Sequence, residues 1–132
     1  MKLEQKFLVT TFSFEELSNL ETLQIEFDKR LYYYTKGFNA PIFLESPKCR
    51  YCGLEIKYFE LWIDFRTILS KYRFDLVPRS SDNQKFNIDH YIPLSKNGPD
   101  LRSNMVTSCY SCNKRKGSKN PEKFLKEFNR CN

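Results

Sequence analysis

Histidine is scarce in this sequence: His90 is the only one among 132 residues. A single imidazole can build neither a zinc site of several histidines nor a pH-sensing histidine cluster, so any chemistry it performs needs partners of other residue types. The sequence also has no apolar run near the roughly 20 residues that span a bilayer. Its first residues lack the apolar core of a signal peptide. We therefore expect an intracellular, cytoplasmic protein without a membrane segment.

Apolar residues, by contrast, are plentiful. Hydrophobic residues make up 40% of the chain, with 12 Phe and 8 Tyr, which is ample for one core. A chain of this length is too short for two sizeable domains, so we predict a single domain over residues 1–132. The net charge of +6 is concentrated at the C-terminus, where residues 113–132 carry seven basic and two acidic side chains. Contact with phosphates explains this charge, and a solvated lysine-rich helix face explains it equally well.

The cysteines form two C-x-x-C pairs, Cys49-Arg-Tyr-Cys52 and Cys109-Tyr-Ser-Cys112. Two thiolates at this spacing can bind one ion from a tight turn, and two such turns complete the tetrahedron that zinc prefers. Two disulfides are the alternative, but nothing in the sequence indicates an oxidising compartment. A redox C-x-x-C would not need a second copy. We predict a structural Zn²⁺ bound by all four cysteines, with Cys131 as a bystander.

The first half of the chain favours helices. Ser13 and Glu16 form a capping-box pattern, which predicts a helix over residues 14–33. Four apolar residues then share one helical face: Leu17, Leu20, Phe27 and Leu31. Residues 57–72 fit either a helix or a strand, and we favour a helix because the run is long for a strand.

The second half of the chain contains clearer signals for strands, turns and helix ends. Residues 85–92 alternate like a strand, Asn97-Gly98 is a turn dipeptide, and residues 101–107 have strand character again. The second cysteine pair then runs into a short helix that Gly117 ends, and Asn120 can cap a final helix. This order of strand, loop, strand, knuckle and helix encloses a small cleft. Three side chains could meet there: Asp89, His90 and Asn113.

The segment DHYIPLSKNGPDLRSNMVTSCYSCNKRKG, residues 89–117, resembles the motif of HNH endonucleases. The branch concerned has C-x-x-C pairs that bracket a ββα-metal core. His90 corresponds to the motif's first histidine and Asn104 to its central asparagine. Asn113 takes the last position, which is often histidine, so this chain is an H-N-N variant. The resemblance covers residues 49–52 and about 86–117.

This resemblance implies an α+β fold, with a ββα-metal (His-Me finger) core, a four-cysteine zinc knuckle pair, and flanking N- and C-terminal helices. Residues 49–119 would be the zinc-stapled core, with an insertion at 53–85. Residues 1–48 would be a helical N-terminal extension, and residues 120–132 a C-terminal helix.

The resemblance also implies hydrolysis of DNA phosphodiester bonds. His90 would act as the general base that takes a proton from water. Asp89 and Asn113 would bind one catalytic cation, and their hard oxygen ligands favour Mg²⁺ or Mn²⁺. Asn104 would hold the loop that orients His90.

The expected substrate is DNA, most simply double-stranded, with Lys116 as the best phosphate contact and Arg115 and Lys119 as weaker ones. A homodimer or a partner protein could supply sequence specificity. Two alternatives remain open at this point. One is a zinc-containing nucleic-acid-binding module without cleavage, and the other is an RNA-cleaving nuclease or toxin of the same fold.

Overall fold

The computed structural model describes residues 5–66 and 72–130. Within these ranges the chain forms strands, four α-helices and two short 3-10 turns. In chain order the strands and α-helices are β1 (Lys6–Phe12), α1 (Phe14–Asn19), β2 (Thr22–Phe27), β3 (Arg30–Thr35), α2 (Asn39–Glu45), β4 (Tyr58–Asp64), β5 (Arg73–Arg79), β6 (Phe86–His90), β7 (Met105–Cys109), α3 (Tyr110–Lys116) and α4 (Pro121–Arg130). None of these helices combines the length and the apolar character needed to cross a bilayer.

The largest sheet is antiparallel, with the strand order β1-β4-β5. On its central strand, β4, the alternating side chains of Phe59, Leu61 and Ile63 are all fully buried, so this face covers the core. The helix predicted over residues 57–72 is therefore wrong where β4 lies, because pairing with β1 and β5 favours the period-2 alternation over the helical period. The part of that prediction over residues 67–71 lies outside the described residues.

The N-terminal region departs further from its prediction. The capping box is present, since Ser13 Oγ accepts a bond from the Glu16 N–H at 3.1 Å and Glu16 Oε1 accepts one from the Ser13 N–H at 2.9 Å. However, α1 ends at Asn19, and the chain continues into the antiparallel hairpin β2–β3. Asp28 and Lys29 make the hairpin turn with φ of 50° and 64°. The helix predicted over residues 14–33 is wrong, and residues 5–48 are not mainly helical.

The C-terminal half confirms the predicted order of elements. Strands β6 and β7 form an antiparallel hairpin in which Phe86 faces Cys109 and His90 faces Met105. Helix α3 follows β7 directly and ends at Gly117, whose φ of 55° lies in the left-handed region. Asn120 caps α4 by accepting a bond from the Glu122 N–H at 2.9 Å. The protein thus has a mixed α+β fold with a ββα unit. Cys131 lies outside the described residues.

One cluster of buried side chains connects the N-terminal elements to this ββα unit. It includes Phe12, Leu17 and Phe59 from the first half, and Phe86 and Phe124 from the second. The buried cysteines Cys49, Cys109 and Cys112 belong to the same cluster. The ββα unit is therefore packed against the rest of the chain through a shared apolar interior.

Candidate active site

The two cysteine pairs meet at one point. All four sulfur atoms lie within 4.8 Å of one another, and the sulfurs of Cys52 and Cys109 are 3.7 Å apart. Tetrahedral zinc with Zn–S bonds of about 2.3 Å separates its sulfur ligands by about 3.8 Å. All four residues are free thiols, and 3.7 Å is far longer than a disulfide bond of about 2 Å. The cluster therefore fits a structural zinc ion, and not two disulfides.

The electrostatics of the cluster agree with this assignment. Hydrogen bonding, first of all with the Cys109 thiol, lowers the pKa of Cys49 to about 4. The same contact with Cys49 raises the pKa of Cys109, and burial raises the pKa of Cys112 to about 12. The sulfurs therefore cannot all be thiolates at neutral pH without a cation between them. A bound dication would supply that charge.

The first knuckle is attached to the ββα unit through its backbone. The Arg50 N–H donates to the Thr107 carbonyl oxygen at 2.8 Å, which links the knuckle to β7. The knuckle turn itself is closed by bonds from the Gly53 N–H to the Cys49 carbonyl oxygen and from the Cys49 N–H to the Leu54 carbonyl oxygen. Gly53 has a φ of 80°, which glycine adopts without strain. The second knuckle follows at the end of the same strand, so both pairs face each other.

Asp89 lies near the end of β6, and its carboxylate is held from two sides. The Tyr51 hydroxyl donates to Asp89 Oδ2 at 2.6 Å, and the Lys116 ammonium lies 3.0 Å from the same oxygen. Tyr51 is one of the two residues between Cys49 and Cys52. The zinc knuckle therefore contacts the acidic side chain directly. Among the described residues both of these polar contacts are with Oδ2.

The prediction for Lys116 needs correction. The sequence predicts that it contacts a phosphate, but its side chain is 0% exposed. Its Nζ donates to the His90 carbonyl oxygen at 3.2 Å and lies 5.7 Å from the centre of the Tyr51 ring. The burial follows from the helix period, because Lys116 lies one turn after the buried Cys112 on α3. In this structure the ammonium group neutralises Asp89 and does not face solvent.

His90 is the last residue of β6, and its side chain is 29% exposed. Its Nε2 lies 2.8 Å from Oδ1 of Asp100, which is ten residues further along the chain. The ring is therefore at the surface of the unit, near the end of the strand that also carries Asp89. Sequence analysis identified the histidine but not this acidic partner.

Asn104 is buried, and its side chain spans the loop between β6 and β7. Its Oδ1 accepts a bond from the Ile92 N–H, and its Nδ2 donates to the carbonyl oxygens of Ile92 and Pro99, each at 2.9 Å. Gly98 completes the loop, because a Cβ there would lie 1.8 Å from the Ile92 carbonyl oxygen. Asn104 thus ties together the two ends of the loop, one beside His90 and the other beside Asp100.

The remaining predicted residues lie on or after α3. Asn113 is half-buried one turn before Lys116, and residues at this spacing share a helix face. Asn113 and Lys116 therefore lie on the same side of α3. Arg115 and Lys119 are exposed. The Arg115 guanidinium lies 5.9 Å from the centre of the Phe124 ring, and Lys119 pairs with Glu127 at 2.8 Å.

Two residues of the site, Tyr51 and Asp100, were missed by sequence analysis. Each contacts its partner across many residues of chain, 38 for Tyr51 and Asp89 and ten for Asp100 and His90. The available signals were local and weak. Tyr51 stands inside a knuckle, where an aromatic residue has no required role. Asp100 ends a turn-rich loop, where acidic residues are common.

Comparison with known families gives one result for this region. Residues 77–119 match the family model of the HNH endonucleases, which covers about a third of the chain. The matched segment runs from β5 through α3 and contains both Asp89 and His90. No curated protein and no solved structure matches the chain. The ββα unit and its flanking cysteine cluster agree with this match, so residues 77–119 are similar to an HNH endonuclease domain.

Proposed function

We propose that this chain is a metal-dependent endonuclease that hydrolyses DNA phosphodiester bonds. One observation carries the proposal. Within the segment that matches the HNH family, Asp89 and His90 are consecutive at the end of β6, against the helix that bears Asn113. An acidic ligand, a base and an amide oxygen can together bind a cation and activate water for this hydrolysis.

The proposed cation site consists of Asp89 Oδ1 and the amide oxygen of Asn113. A carboxylate and an amide oxygen are hard ligands, which suit Mg²⁺ or Mn²⁺. A bound ion would supply charge stabilisation for the transition state and for the leaving 3′ oxygen. Tyr51 and Lys116 both contact Oδ2 of Asp89. They hold the carboxylate so that Oδ1 stays available for the ion.

His90 is proposed to take the proton from the attacking water. An unprotonated imidazole is a competent base near neutral pH, and the partial exposure of His90 gives water access to its ring. A general base must be held within hydrogen-bond distance of its water, and a misplacement near 1 Å can cost on the order of 100-fold in rate. The loop fixed by Asn104 provides this restraint.

DNA phosphates would be bound by the basic C-terminal segment. Residues 113–132 carry a net charge of +5, from seven basic and two acidic side chains, and Lys114, Arg115 and Lys119 in this segment are exposed. Contacts of this kind position the backbone without reading bases. The ββα unit alone is therefore proposed to bind DNA with little sequence preference. Binding should weaken steeply with added salt.

The function is tested by incubating the zinc-loaded protein with supercoiled plasmid, single-stranded DNA and RNA, each with Mg²⁺ or with EDTA. We expect Mg²⁺-dependent nicking or linearisation of the plasmid, and no cutting in EDTA. Cutting of RNA alone would replace the proposal with an RNA-cleaving nuclease. DNA binding in a gel-shift assay without any cleavage would replace it with a binding module.

A second experiment tests the contact between the zinc knuckle and Asp89. In Tyr51→Phe the ring remains while the hydroxyl that donates to Asp89 Oδ2 is lost. Groups that orient a metal ligand typically contribute about 10- to 100-fold in metal affinity or activity. We expect the Mg²⁺ concentration for half-maximal cleavage to rise by about tenfold, because Asp89 is no longer fixed.

The matched control is Tyr58→Phe. The Tyr58 hydroxyl donates to Asn83 Oδ1 at 2.7 Å, so this variant loses a similar bond between two residues that are not among the proposed site residues. For both variants, the free energy of unfolding should lie within about 1.5 kcal/mol of the wild-type value. An unchanged Mg²⁺ requirement in Tyr51→Phe would show that the knuckle does not position Asp89.

A further inference from the structure

The only histidine of the chain, His90, has an acidic partner in Asp100. His90 Nε2 and Asp100 Oδ1 are 2.8 Å apart, a distance typical of a charge-assisted hydrogen bond. The Asp100 side chain is 72% exposed. Its contact with the ring is therefore not a by-product of close packing in the core.

The chemistry of the pair fixes which ring nitrogen carries the proton. An ionised carboxylate can only accept a hydrogen bond, so His90 Nε2 must be the donor. In the neutral ring the second nitrogen, Nδ1, then keeps its lone pair. That lone pair is what a base needs to accept a proton from water.

The loop between β6 and β7 places Asp100 within hydrogen-bond distance of His90. Asn104 Nδ2 donates to the Pro99 carbonyl oxygen, immediately before Asp100. The same side chain holds the N–H and carbonyl of Ile92, two residues after His90. A further bond joins the Gly98 N–H to the Pro93 carbonyl oxygen at 3.0 Å. The backbones that bear the acid and the imidazole are therefore linked through one buried amide.

We propose that Asp100 is a positioning residue, which holds His90 in the tautomer with the proton on Nε2 and directs Nδ1 to the attacking water. The catalytic consequence rests on the proposed nuclease function, whereas the tautomer itself does not. Asp100 contacts neither the proposed cation ligands nor the basic segment in the described structure. Its effect should therefore fall on the rate of the chemical step and not on DNA binding.

The tautomer can be measured directly, because a single histidine gives a single pair of ring ¹⁵N signals. At a pH where the ring is neutral, we expect the wild-type protein to show a fully protonated Nε2 and an unprotonated Nδ1. In Asp100→Ala the two shifts should move towards each other, since both tautomers are then populated. Glu21→Ala, which removes an exposed carboxylate before β2, should leave both signals unchanged.

The kinetic arm uses the same variants with plasmid DNA and Mg²⁺. Asp100→Ala should lower kcat by about 10- to 100-fold with KM within about twofold, and Asp100→Glu should restore part of the loss. Unchanged ring ¹⁵N shifts in Asp100→Ala would overturn the inference. A change in KM alone would overturn its catalytic part. If the wild-type protein cuts no nucleic acid, the proposed function fails, while the ¹⁵N result still decides whether Asp100 sets the tautomer.

Discussion

Replacing His90 with alanine is expected to lower the rate of plasmid cleavage by about 10²- to 10⁴-fold, the usual contribution of a positioned acid or base. The chain offers no second imidazole to take over this role. The loss should appear in kcat, because the ring is not among the groups proposed to bind phosphate or the cation. Single-turnover nicking of supercoiled plasmid at saturating Mg²⁺ measures this rate.

Two checks make the result interpretable. His90→Ala should melt close to the wild-type protein, because the ring is partly exposed and its hydrogen bond is to the exposed Asp100. Asn87→Ala is the matched control, since Asn87 is exposed on the same strand, and it should cleave at the wild-type rate. Cleavage by His90→Ala at full speed would exclude His90 as the base.

Loss of zinc is expected to have the largest effect on stability. Zinc sites of this type contribute on the order of 10 kcal/mol of apparent binding free energy, which is comparable with the whole net stability of a small domain. Cys109 is 2% exposed and its sulfur also caps α3 by accepting the Cys112 N–H at 3.5 Å. Cys109→Ser should therefore unfold the ββα unit and abolish cleavage.

The control for this variant is Cys131→Ser, which changes the one cysteine that belongs to neither C-x-x-C pair. It should bind one zinc ion per chain and melt as the wild-type protein does. Metal content by mass spectrometry and a thermal melt followed by circular dichroism measure both properties. Chelation of zinc from the wild-type protein should reproduce the effect of Cys109→Ser. A melting curve for Cys109→Ser identical to that of the wild type would show that the cluster is not a structural zinc site.

The parts of the fold that sequence analysis predicted correctly are those where several local signals agree. The hairpin of β6 and β7 and helix α3 are marked by alternating apolar residues, by Asn97, whose φ is 64° in the structure, and by Gly117 at the helix end. The two cysteine pairs were equally informative, because their spacing already matches the geometry of one ion. Each of these signals can be recognised within a few residues.

The wrong predictions arose where helix and strand patterns coincide. Leu17 and Leu20 begin a helical spacing that Phe27 and Leu31 happen to continue. In the structure α1 ends at Asn19, and a hairpin turn at Asp28 lies between Phe27 and Leu31. That turn is not an Asn-Gly or Asp-Gly dipeptide, so no strong signal interrupts the apparent helix. In β4 the apolar residues fit both the helical period and the two-residue period of a strand. Only the pairing of this segment with β1 and β5 decides between the two.

In the candidate site, too, sequence analysis found the residues of a local motif and missed those that depend on tertiary contacts. The family resemblance locates Asp89, His90 and Asn104 because they belong to a contiguous motif. The partners of these side chains, Tyr51 and Asp100, come from tertiary contacts that no local pattern encodes. Lys116 is instructive in another way. Its burial could have been predicted from its spacing to Cys112, but a basic residue beside two others suggested exposure.

The most direct test is a crystal structure of the zinc-loaded protein soaked with Mn²⁺, with anomalous diffraction collected at energies that separate the two metals. We expect zinc among the four cysteine sulfurs and Mn²⁺ bound by Asp89 Oδ1 and the Asn113 amide oxygen, with the His90 ring directed at a water beside the ion. Manganese bound elsewhere, or His90 turned away from the ion, would contradict the proposed active site.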